Sequence, residues 1–369
     1  MSPIVIPTRN RPMSLRLLLN YISKFYPGQR IVIADGSHSS YSNAYDAAVA
    51  EYSAHLQIEY LRYPVELPLG DRVFDCVEKL DDDIIFVGAD DDFPVLDTLK
   101  TGAEFLEQNE DYVLAMGANV MLNRESQSHF KAKLLHARTI ADSDPAVRIR
   151  EFIAWPFATS YAATRREHYI DRCKNVKLNA MTIFGDYNVA FHDCLVGKIK
   201  SLPKIGYFTT KLPTHSRLEK PNKLHFLENA GDVLRLRDYY IDTLTSSLKL
   251  TEHDAAALAN QMIGTKIAHF VDNAPHFKQG FGHSALFAEK TVQKQYQAFH
   301  DLFGEGNKTR EALVPKLRFI VDSMQSIFEQ NTDNLGEPTE YRSLEDMIKP
   351  INSPQDAHQT SNLTEAGEL

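Results

Sequence analysis

Residues 84–92 read Ile84-Ile85-Phe86-Val87-Gly88-Ala89-Asp90-Asp91-Asp92, four apolar side chains followed by a turn and three carboxylates. A short, unbroken apolar run of this kind suits a strand buried on both faces, as in a parallel sheet under helices. A second acidic triplet, Asp81-Asp82-Asp83, precedes the run. A strand rises about 3.3 Å per residue, so the two triplets stand roughly 15–25 Å apart and cannot serve one site. Only the later triplet lies at the carboxyl end. The earlier one reads as a solvated turn.

Working outward, residues 3–7 (PIVIP) form a β-branched run closed by proline, a first strand. Leu15, Leu18, Leu19 and Ile22 recur at helical spacing until Pro27-Gly28 stops the helix. A second strand at 30–34 breaks at Asp35-Gly36-Ser37, a polar helix covers about 45–55, a third strand covers 58–62, and 73–80 suits a helix. This βαβαβαβ order predicts an α/β fold with a mostly parallel sheet flanked by helices. In such open sheets ligands bind outside the carboxyl ends of the strands. Three of those ends are polar: Pro7-Thr8-Arg9-Asn10-Arg11, Asp35-Gly36-Ser37 and the Asp90 triplet.

Three adjacent carboxylates raise one another's pKa. A hard divalent cation, Mn²⁺ or Mg²⁺ with a substrate diphosphate, resolves that repulsion through oxygen ligands. The alternative is an exposed acidic turn, with Asp92 capping a helix ahead of Pro94.

Composition narrows the class. The 369 residues carry 40 Lys+Arg against 49 Asp+Glu, a net charge of −9 that argues against coating nucleic acid. Three dispersed cysteines, Cys76, Cys173 and Cys194, offer neither a disulfide framework nor a zinc knuckle. No stretch of 18 apolar residues occurs, and the start MSPIVIPTRNRP lacks a signal-peptide core, so a cytoplasmic protein is expected.

From about 97 to 212 the pattern is mixed, with strands expected at 112–118 and 207–210 and a helix at 146–154. After about 225 long helices are expected at 233–250, 252–273, 285–303 and 311–330. The last carries Leu313, Leu317, Ile320, Val321, Met324 and Ile327 at three- and four-residue spacing. The expected division is a catalytic-type domain at 1–222, a helical domain at 223–331 and a flexible tail at 332–369.

The set IVIPTRNRP (4–12), IVIADGS (31–37) and IIFVGADDD (84–92) resembles the GT-A, Rossmann-like nucleotide-sugar glycosyltransferases, glycosyltransferase family 2 especially. The resemblance covers the first 100 residues or so, continues weakly to about 217 and does not reach the C-terminal helices. It implies that Pro7, Thr8 and Arg9 border the nucleotide and that Asp35 bonds its base or ribose. Ala34 stands where relatives often carry another aspartate. Asp90 and Asp92 would form the Asp-x-Asp element, Asp92 as direct metal ligand, with Asp91 beside the nucleotide. Arg72 would face the nucleotide.

In Phe184-Gly185-Asp186-Tyr187 the resemblance places Asp186 as catalytic base, which would make the enzyme inverting; the same aspartate could equally cap a helix. His215 would complete the metal shell and Arg217 would neutralise leaving-group phosphate, although a loop ahead of the helices would hold such residues without any ligand. Trp155 suits a sugar platform or a core position.

The activity implied is metal-dependent transfer of a sugar from a nucleotide-diphosphate donor, a UDP-sugar first, to a hydroxyl of a glycan or lipid-linked acceptor. Cell-surface polysaccharide synthesis at the inner face of the membrane is the setting implied. Two rivals stand beside it. A sugar-phosphate nucleotidylyltransferase would want a glycine-rich turn after the first strand, and Thr8-Arg9-Asn10-Arg11-Pro12 has none. Against a non-catalytic nucleotide-sugar binding protein count the intact Asp90, Asp92 and Asp186.

Overall fold

In a computed structural model of the chain, the described residues are 2–126, 129–135, 137–176, 184–210, 230–272, 308–330 and 348–350. The expected helix at 285–303 and, apart from 348–350, the expected tail fall outside them.

Strand β1 (Ile4–Thr8) leads into helix α1 (Pro12–Phe25), then β2 (Arg30–Asp35), α2 (Ser42–Tyr52), β3 (Gln57–Arg62), α3 (Leu69–Glu78) and β4 (Ile84–Val87). Pro12 opens α1, where its missing N–H costs no hydrogen bond. Gly28, at φ 78°, turns the chain back after it. The chain continues through β5 (Phe93–Pro94), α4 (Leu96–Gln108), β6 (Tyr112–Ser126), β7 (His129–Leu135), α5 (Pro145–Ala154), β8 (Ala163–Arg165), α6 (Arg166–Asn175), α7 (Gly185–Val196) and β9 (Lys198–Thr210). Helices α8 (Ala230–Leu248), α9 (Glu252–Asp272) and α10 (Lys308–Gln330) precede a short strand β10 (Ile348–Pro350).

The sheet runs β10-β7-β6-β8-β4-β1-β2-β3, with β9 pairing β5 and β6. Where strands alternate with helices, β3-β2-β1-β4, every pairing is parallel. Beyond β4 the sheet is mixed: β8 is antiparallel to both β4 and β6, and β6 and β7 are antiparallel neighbours. Between β6, which ends at Ser126, and β7, which begins at His129, the connection is too short for a crossover helix and permits only an antiparallel pair.

Alternation along β1 divides the core. Ile4 and Ile6 face one cluster with Leu15, Leu19 and Ile22 of α1, whereas Val5 joins Val32, Val73, Val77 and Ile85 beneath α3. The described C-terminal helices pack into cores shared with earlier elements. Leu313, Leu317, Ile320, Val321 and Met324 of α10 belong to the Ile4 cluster, and α8 and α9 pack with α5 and α7 around Phe152 and Phe191. Phe319 of α10 meets Tyr21 and Phe25, so α10 packs on α1, and its buried aliphatic side chains contribute about 1.5–3 kcal/mol each. No helix among the described residues is long and apolar enough to cross a membrane.

Candidate active site

Register brings the polar strand ends to one edge. Thr8 lies opposite Asp35 across β1–β2, and Val5 opposite Val87 across β1–β4. Thr8 therefore comes level with the Asp90 turn, and its Oγ1 donates to Asp90 Oδ2 at 2.6 Å. Arg11 pairs with Asp90 at 2.6 Å and with Asp91 at 3.2 Å. Asn10, held at φ 57°, ties the first turn to the second. Its N–H donates to Ser37 Oγ at 2.7 Å, and its Oδ1 accepts from His38 N at 3.0 Å. Asparagine tolerates that left-handed backbone better than most residues.

Asp35 is buried, accepting from Ser37 N at 2.8 Å and from the Tyr60 hydroxyl at 2.6 Å. Arg72 lies beneath the turns. Its Nη1 donates to the carbonyls of Thr8 at 2.8 Å and Ala34 at 3.1 Å, so the guanidinium braces both strand ends from below. Gly36 is pressed against it, and a Cβ there would overlap the Arg72 guanidinium. Pro7 is half-buried opposite Ala34, and Arg9 is exposed at the rim.

Asp92 does not cap a helix, because α4 begins later, after Val95. Its carboxylate accepts from the Tyr161 hydroxyl and from Thr210 N at 2.8 Å. The topology explains both. The β4–β8 antiparallel pairing carries the residues before β8 to the carboxyl end of β4, and the β5–β9 pairing, Phe93 opposite Phe208, sets Thr210 beside Asp92. Burial, then the neighbouring Asp91, pushes the Asp92 carboxyl up to about 7, against the pull of these two donors. Arg11 offsets part of the charge on Asp90 and Asp91, so a hard divalent cation held by the oxygens of Asp90 and Asp92 would have to take the place of Arg11 at Asp90. The first acidic triplet lies at the opposite end of β4, where Asp82 pairs with Arg30 at 2.7 Å.

Asp186 sits exposed in the first turn of α7, behind the capping position held by Phe184. It borders a cavity of about 220 Å³ with Pro156, Phe157, Tyr187 and Lys266 in its wall. Burial lowers the Lys266 pKa, Asp186 partly restoring it. Trp155, half-buried after α5, carries the Arg138 guanidinium 4.6 Å above its ring. His215 and Arg217 lie outside the described residues.

Sequence reasoning missed Tyr60, Tyr161 and a buried network behind Asp186. Among the described residues one group of three His, Cys, Asp or Glu side chains brings ligating atoms within 4.8 Å of one another, namely His168, His192 and Asp193. Asp193 already takes His168 Nε2 at 2.7 Å, Thr159 Oγ1 at 2.5 Å and Arg172 Nη1 at 3.3 Å to each oxygen. A cation would have to displace Arg172, so the group is a buried ion-pair network. Burial pushes the Asp193 carboxyl up, but Arg172 and His168 outweigh it and hold it down at about 2. These partners are scattered over 35 residues with no spacing motif, so nothing local announced them.

No protein-family model matches the sequence, and no curated protein matches it. Solved structures do resemble the fold. TarS of S. aureus, residues 1–349, aligns over 90% of this chain and 92% of its own at 13% identity and a TM-score of 0.51. The same protein in complex with UDP-GlcNAc aligns over 90% and 91% at 15% identity and a TM-score of 0.54. A mannosyltransferase from Pyrobaculum calidifontis, in complex with GDP-Man and Mn²⁺, aligns over 90% and 88% at 12% identity and a TM-score of 0.41. The chain thus has the mixed α/β fold of TarS.

Proposed function

We propose that this chain is a glycosyltransferase acting on a nucleotide-diphosphate sugar. One observation carries the reading: Thr8, Asp35, Asp90 and Asp92 gather at the carboxyl edge of neighbouring parallel strands, where open sheets take ligands. The likeness to a fold solved with UDP-GlcNAc bound supports a nucleotide-sugar donor, a UDP-sugar first.

In this reading Pro7, Thr8, Arg9 and Asp91 border the nucleotide. Asp35 meets the base or ribose, and Arg72 holds the turns that meet it. Asp90 and Asp92 hold Mn²⁺ or Mg²⁺, with His215 to complete the metal shell and Arg217 to neutralise leaving-group phosphate, two residues outside the described ones. The cation, when bound, supplies Lewis-acid stabilisation of the departing diphosphate. Asp186 accepts the proton of an acceptor hydroxyl seated in the adjoining cavity as that oxygen attacks the anomeric carbon, giving inversion. The acceptor would be a glycan or lipid-linked glycan of a cell-surface polysaccharide, met at the inner face of the membrane.

Incubation with Mn²⁺ and a panel of nucleotide sugars, with released nucleoside diphosphate measured, tests the reading. Release is expected with at least one donor and should be lost in Asp92→Asn. Asp186→Asn should bind donor normally and fail in transfer. Absence of nucleotide binding with and without metal would overturn the proposal.

A further inference from the structure

The link from α5 to β8 runs through Thr159, Ser160 and Tyr161 without regular backbone hydrogen bonding. Side chains therefore have to fix its position. Three consecutive hydroxyls do so, each on a different carboxylate. Thr159 Oγ1 donates to Asp193 at 2.5 Å, Ser160 Oγ donates to Asp186 at 3.3 Å, and the Tyr161 hydroxyl donates to Asp92. Asp186 and Asp193 both belong to α7, seven residues and about 10.5 Å apart along the axis at 1.5 Å per residue. Asp92 belongs to the acidic turn after β4. The triplet thus clips α7 to that turn.

The clip is anchored at one end. Thr159 and Asp193 are both fully buried, and Asp193 is fixed by Arg172 and His168 of α6. Stacking of Tyr161 on Tyr207, with ring centroids 4.5 Å apart, limits the hydroxyl that reaches Asp92. We propose that Thr159, locked onto Asp193, is a positioning residue that sets Asp186 relative to Asp92, and so sets the acceptor-side base against the donor-side carboxylate. This rests on the roles proposed above for those two aspartates.

The test uses the full chain with 3-fluorotyrosine at position 161, in wild type, Thr159→Val, Thr159→Ser and Thr98→Val. Thr98 is the control, a buried hydroxyl that donates to the Ile205 carbonyl at 2.6 Å, two residues from Tyr207, and is bonded to none of the three carboxylates of the link. Thr159→Val should move the fluorine resonance and lower kcat for nucleoside diphosphate release at least about tenfold, with donor KM within about threefold, because small misplacements of reacting groups are costly. Thr159→Ser should restore both. Thr98→Val should lower the melting temperature and move neither. If Thr159→Val lowers only the melting temperature, as Thr98→Val does, the positioning role is overturned. If wild type releases no nucleotide with any donor, the glycosyltransferase reading fails, and the fluorine comparison alone decides whether Thr159 sets Tyr161.

Discussion

Asp92 is held by neutral donors, the Tyr161 hydroxyl and the Thr210 amide, with Asp91 close by. A buried carboxylate so placed costs stability until a cation arrives. In metal-free protein Asp92→Asn should therefore raise the melting temperature, and Mn²⁺ should stabilise wild type but not the variant; scanning calorimetry with and without Mn²⁺ measures both. Gly36 makes a steric prediction. Gly36→Ala should displace the Arg72 guanidinium from the Thr8 and Ala34 carbonyls and cost about 1–3 kcal/mol, measured by urea unfolding. At this scale the sequence is legible where a motif is local. Asp35, Asp90 and Asp92 follow strands, and their place at the sheet edge follows from parallel topology. Tyr161 and Asp193 are not legible, because what gives them meaning is a partner on another element, 69 residues away for Tyr161.

Helix α6 shows why some elements stay hidden in a sequence. Of its buried residues, Tyr169 packs with Val73 and Val77 of α3, and His168 and Arg172 find their partner only when α7 brings Asp193, so no apolar stripe marks it. Their pairing with Asp193 has a pH signature. The Asp193 carboxyl falls from its ordinary 3.8 to about 2 in the fold, so its contribution is full above about 4 and is lost as pH falls toward 2. Stability should drop by roughly 2 kcal/mol over that window, and Asp193→Asn should flatten the drop; acid titration of urea midpoints checks it. Helix α10, by contrast, reads plainly from Leu313, Leu317, Ile320, Val321 and Met324. What its periodicity leaves open is the surface it covers. Leu317→Ala should cost about 2–5 kcal/mol and unfold the sheet with the helix in one transition, followed by far-ultraviolet circular dichroism.

For the whole molecule, the four parallel strands were legible because each is an unbroken apolar run between helical patterns. The far half of the sheet was not. Strand β8 has three residues, too few for a pattern, and the β6–β9 pairing joins segments about 85 residues apart. Of the C-terminal helices, α10 packs into the cluster that begins at Ile4, and α8 and α9 pack into the one around Phe152 and Phe191. That arrangement bears on synthesis. A ribosome releases β1 more than 300 residues before the Met324 of its cluster, so the side of the cluster over α1 that α10 closes must wait, apolar and uncovered, while most of the chain is made. Closing such distant contacts is slow, and waiting apolar surface invites association. A nascent chain stopped before α10 should stay protease-sensitive and bind hydrophobic dye, and the full chain should lose both properties once residue 324 clears the exit tunnel. Among the described residues α10 is thus the last helix to be translated, and the step that closes the cluster begun by the first strand.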